Sequence, residues 1–147
     1  MIPSGTIALR RLLLTAALAV CGSAARAESK FIGKWSDNAS QGSRIGNLTI
    51  SKDTAVFERV AIYTIASNGT FGLGEIFKIS GVNHSPDPEG CGPNGKVNYI
   101  VVLPVSPSSG TRQQAIKVIF YSGTTPPSPE TINDDREACS IHPFGRN

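Results

Sequence analysis

Beyond residue 30 the chain holds no helical period. Short runs rich in Val, Ile, Thr, Tyr and Phe alternate instead with clusters of Gly, Pro, Asn, Asp and Ser. Runs of that composition bounded by turn residues are strands joined by turns, and little else can be built from them. Seven or eight strands are expected. "FIGKW" opens the series, "NLTISK" and "TAVFERVAIYTIA" flank Asp53 as a tight hairpin, and "TFGLGEIFKIS" follows after the turn "SNG". "KVNYIVVLPV", "QAIKVIFYSG" and a last piece around "ACSIHPF" complete it. All-β chains of this size close as a sandwich or a small barrel. Long alternating strands with mostly hairpin connections favour a small antiparallel barrel of seven to eight strands, with a β-sandwich as the alternative.

Alternation assigns the core faces. Val97, Tyr99, Val101, Leu103 and Val105 share one face of the fifth run, as do Ile116, Val118 and Phe120 in the sixth. In the fourth, Phe71, Leu73, Phe77 and Ile79 line up, with Glu75 among them. A carboxylate on a core face is costly unless paired or wet, so Glu75 marks either a polar cavity or a barrel mouth. The favoured reading is a bulge: Gly72 and Gly74 would shift the register and turn Glu75 outward.

The first 27 residues read as an export signal, with Arg10 and Arg11, an apolar run Leu12 to Val20 and an Ala25-Arg26-Ala27 end, so cleavage is expected before Glu28. Two variants stay open, a twin-arginine signal in "LRRLLLT" and a lipoprotein anchored at Cys21. The apolar run falls well short of the roughly 20 residues that span a bilayer, and no later segment replaces it, so no membrane insertion is expected after cleavage. Residues 28–147, about 120 residues, suit one β domain with one core. The expected destination is periplasmic or secreted. There Cys91 and Cys139, the pair left by loss of the leader, are expected to form a disulfide. It would close a loop of about 48 residues and stabilise the fold by about 4 kcal/mol in the chain-entropy account. The formal charge of +3 includes the three leader arginines, so the mature chain is near neutrality. Clustered Lys and Arg that would bind nucleic acid are missing.

No catalytic constellation emerges. His84 and His142 are the two histidines, and neither falls at zinc-ligand spacing with Cys, Asp or Glu. His84 with Asp87 and Glu89, and Asp134, Asp135 and Glu137 of "DDREAC", read as solvated loop residues. A Gly-x-Ser-x-Gly elbow is missing, and the glycines of "TFGLGEIF" precede no helix, so neither a serine nucleophile nor a dinucleotide cofactor is expected. Asn-x-Ser/Thr triplets at Asn38, Asn47, Asn68 and Asn83 read as turn chemistry rather than glycan acceptors.

"FIGKW" followed by polar residues and then "LTI" resembles the opening of the calycin-type barrels: the lipocalins, the avidins and the small bacterial protease inhibitors. Their first strand carries Gly-x-Trp, here Gly33 and Trp35, the protein's one tryptophan. The resemblance implies that Trp35 closes the base of a barrel and that an arginine near the C-terminus, Arg136 or Arg146, packs over its ring as a cation–π pair. It does not extend to biotin, because the asparagine of the avidin site falls at Asp37, and the lipocalin Thr-Asp-Tyr motif is missing. The implied function is binding without a cofactor: a small apolar ligand in the barrel, or a protein partner such as a hydrolase to be inhibited. A structural, envelope-associated sandwich without a ligand cavity is the alternative.

Overall fold

The computed structural model describes residues 27–39, 44–83, 91, 96–106, 113–130 and 138–146. Eight antiparallel strands form one closed barrel: β1 (Gly33–Asp37), β2 (Leu48–Ile50), β3 (Thr54–Phe57), β4 (Ala61–Phe71), β5 (Gly74–Asn83), β6 (Tyr99–Val105), β7 (Gln114–Tyr121) and β8 (Ala138–Arg146). Each strand pairs with its sequence neighbour, and β8 returns to β1 through Ser36 opposite Gly145 and Asp37 opposite Phe144. That last ladder leaves no free edge and replaces the sandwich alternative.

Two turns differ from the sequence expectation. "TAVFERVAIYTIA" is two strands, reversed at Glu58–Val60. The amides of Glu58 and Arg59 donate to the carbonyls of Asn47 and Ile45, so the segment before β2 satisfies the turn. "SNG" in turn is no reversal. β4 runs through it with a register irregularity between Ser67 and Gly69, and the chain turns at Gly72–Leu73 instead. Gly72 has φ +59°, which suits the first central position of a two-residue hairpin turn. A side chain at Gly74 would run into the Val102 carbonyl, which explains the second glycine.

Much of the interior is filled. Phe57, Tyr63, Phe120 and Phe144 are buried together, with ring centroids 5.0 Å apart for Phe57–Phe120 and 5.9 Å for Tyr63–Phe120. Leu48, Ile100, Val102, Ile116 and Val118 complete the layers. Ile116, Val118 and Phe120 share this cluster as expected. The fifth run differs, because within β6 it is Ile100 and Val102 that face inward. Tyr99 and Val101, with Leu103 packed against them, belong to a second buried cluster on the opposite face, with Phe71, Ile76, Ile119 and Tyr121. Val105 is exposed. The run is apolar on both faces, so alternation alone has no sign. The segment after β7 resolves it. Asn98 Nδ2 donates to the carbonyls of Ser122 (2.7 Å) and Gly123 (3.2 Å), and the Tyr99 hydroxyl donates to that of Thr124 (3.3 Å), holding this segment against the outer cluster.

Cys91 and Cys139 form a disulfide with Cα atoms 4.7 Å apart, tying the β5–β6 connection to the start of β8. Two covalently and hydrogen-bonded closures thus hold β8, the strand that completes the barrel.

Candidate functional site

Chain direction places the start of β1, the β2–β3 and β4–β5 turns, the β6–β7 connection and the end of β8 at one end of the barrel. Residues 27–32 cross this end. Ser29 starts a turn there, its hydroxyl accepting from the Phe31 amide and its carbonyl from the Ile32 amide, both at 3.2 Å. The turn buries Phe31 beside Trp35, and the indole Nε1 donates to the Phe31 carbonyl at 2.9 Å. A buried indole needs such an acceptor, and the crossing segment supplies it.

Arg146 lies over that ring, its guanidinium carbon 4.1 Å from the centroid. Its Nη1 donates to the Ile32 carbonyl (3.1 Å) and its Nε to Gln114 Oε1 (2.6 Å). Gly33 makes the approach possible. Its φ is +131°, and a Cβ there would sit 2.9 Å from Arg146 Nη1. Gly-x-Trp therefore has a local reason: the glycine is the gap through which the arginine reaches the indole. Arg136, the other arginine considered, lies outside the described residues, as do His84, Asp87, Glu89, Asp134, Asp135 and Glu137.

Recesses open on both sides of the crossing segment. One, of about 620 Å³, is lined by Glu28, Asp53, Phe77 and Glu75 among others. Glu75 pairs with Val102 across the β5–β6 ladder, so it sits on the inward face, half-buried, and the expected outward turn does not occur. The register irregularities lie opposite other β5 residues, between Thr64 and Ile65 and between Ser67 and Gly69, while Gly72 serves the turn. An open recess lets water reach the carboxylate, which is how the inward face tolerates it. The second recess, of about 350 Å³, lies against Trp35 and Arg146 and is bordered by Lys30, Gln113 and Gln114.

The remaining candidates are structural in place. His142 packs edge-on against Phe120 (5.7 Å), with Nε2 3.2 Å from Ser140 Oγ. Asp37 accepts from the Ala39 amide (2.9 Å), and Asn47 Oδ1 accepts from the Asp37 amide (3.1 Å), so both side chains close the far end of β1. Among the described residues no group of three or more His, Cys, Asp or Glu could hold a metal. Lys30, Gln114 and the Ile32 carbonyl were not singled out in the sequence. The β7–β8 ladder sets Gln114 opposite Arg146 and the β1–β8 ladder brings the Ile32 carbonyl within its reach, while Lys30 lines the same recess, although Phe31 stood in the same motif. Against family models, characterised proteins and solved structures the chain gives no match, so the site rests on its own residues.

Proposed function

We propose that the protein is an exported, disulfide-tied barrel of calycin type that works by binding a protein partner at the end crossed by residues 27–32, with a hydrolase as the partner class. The observation that carries this reading is the interior: Phe57, Tyr63, Phe120 and Phe144 occupy the space a ligand carrier would keep open. Binding at the open end, where the larger recess reaches Glu75 and Phe77, is what such a barrel retains. The stacked Gly33–Trp35–Arg146 base supports the calycin likeness, and the two recesses beside it give a partner relief to grip. The leader, with cleavage before Glu28, and a periplasmic or secreted destination belong to the same proposal. The disulfide is compatible with an oxidising compartment.

Residual activity of purified secreted proteases and glycosidases, titrated with the mature protein, tests it. A break at one equivalent is expected for at least one enzyme class. Stoichiometric uptake of an apolar fluorophore into the barrel would instead overturn the reading in favour of a carrier. Intact mass of the exported protein checks the leader: an N-terminus at Glu28 is expected, and one at an acylated Cys21 refutes that part.

A further inference from the structure

The smaller recess has the chemistry of an anion site. Among the described residues its polar lining is Lys30, Gln113, Gln114 and Arg146, with no Asp or Glu. The larger recess across the crossing segment carries three carboxylates, Glu28, Asp53 and Glu75, against one cation, Lys52, so the two recesses differ in the sign of their charge. We infer that the Trp35–Arg146 recess binds a carboxylate carried on an apolar body.

Arg146 is the anchor. Its guanidinium is held on three sides, by the indole face, Gln114 Oε1 and the Ile32 carbonyl. Among the described residues these bonds use Nε and one hydrogen of Nη1, and no acceptor meets Nη2. A guanidinium already fixed in place loses little freedom when it binds, and its remaining donors suit the paired oxygens of a carboxylate. Lys30, with Nζ 5.1 Å from the Phe31 ring centroid, adds a second positive charge at the rim.

The rest of the lining sets the body of the ligand. Phe31, Trp35, Val105 and Ile116 present apolar surface, and about 350 Å³ lies at the small end of ligand sites. A monoanion with a short aliphatic or aromatic tail fits this balance. A free phosphate has no apolar part to lay against these walls. The carboxylate could come from a small free acid or from the C-terminus of an apolar peptide. The site rests on the barrel base alone and does not require a hydrolase partner.

The test uses the full mature protein with its disulfide intact. Hexanoate and its neutral counterpart hexanamide are titrated while the single Trp35 indole N–H and the Gln114 side-chain amide are followed by NMR. A saturable one-site shift at both groups is expected for hexanoate, with hexanamide about tenfold weaker. Lys30→Glu, at an exposed position, should weaken hexanoate about tenfold and leave the remaining spectrum unchanged, so loss of binding is not confused with loss of fold. Equal binding of acid and amide, shifts centred on Phe57 and Phe120, or no saturable shift would overturn the assignment. An apolar hexapeptide as free acid and as C-terminal amide separates the sources. Tighter binding of the peptide acid than of hexanoate assigns the recess to a chain terminus, and the reverse order assigns it to a small free acid.

Discussion

Gly33→Ala is the sharpest probe of how the barrel base is built, because Gly69 supplies an internal control. The two glycines have nearly the same backbone angle, φ +131° and +126°, but a Cβ at Gly69 meets nothing within 4 Å while one at Gly33 meets Arg146 Nη1 at 2.9 Å. Strain in the backbone costs about 1–3 kcal/mol at either position. At Gly33 the arginine must also move. It gives up the stack on Trp35, about 0.5–2 kcal/mol, and the bond to the Ile32 carbonyl, about 1.5–3 kcal/mol. Because Arg146 is half-exposed, water recovers much of both, leaving about 1–2 kcal/mol beyond the backbone term. Gly33→Ala is thus expected to cost about 2–5 kcal/mol and Gly69→Ala about 1–3 kcal/mol. In an Arg146→Ala background the obstacle is gone, and Gly33→Ala should fall to the Gly69→Ala value, a coupling of about 1–2 kcal/mol. Urea unfolding of the parent and the four variants, followed by Trp35 emission and far-ultraviolet dichroism, measures this. Equal costs at the two glycines with no coupling to Arg146 would refute the reasoning.

Other perturbations test other parts of the fold. Phe120→Ala removes a fully buried ring in contact with Phe57, Tyr63 and His142 and is expected to cost about 3–5 kcal/mol in chemical denaturation. Replacing Cys91 and Cys139 by Ala opens the link across 48 residues; it should cost about 4 kcal/mol, and the mass of the parent should rise by two hydrogens on reduction. Tyr99→Phe loses the bond to Thr124, for about 0.5–1.5 kcal/mol, with faster hydrogen exchange at Gly123 and Thr124 as the local readout. Leu73→Ser, at a hairpin tip where the side chain is 78% exposed, should change stability by less than about 0.5 kcal/mol.

Much of this protein is written locally. Period-two alternation between turn clusters implies strands whatever the rest of the chain does, because side chains of a strand alternate faces by covalent geometry. With the first 27 residues set aside as the expected leader, two cysteines leave one intramolecular pairing, so Cys91–Cys139 is legible as well. The resemblance carried by Gly33 and Trp35 implies the base of a barrel. Yet the same residues do not say which arginine comes to rest on the indole.

Tertiary structure decided the rest, for a reason of distance along the chain. Arg146 is separated from Ile32 by 114 residues, and only the pairing of β8 with β1 brings them together. The inward face of β6 is of the same kind. Tyr99 to Leu103 is apolar on both sides, so its periodicity cannot choose, and the choice fell to the segment after β7 that is held against the outer cluster through Ser122, Gly123 and Thr124. Local pattern determines that a strand forms and where its side chains alternate. Which side becomes the core depends on what arrives to cover the other.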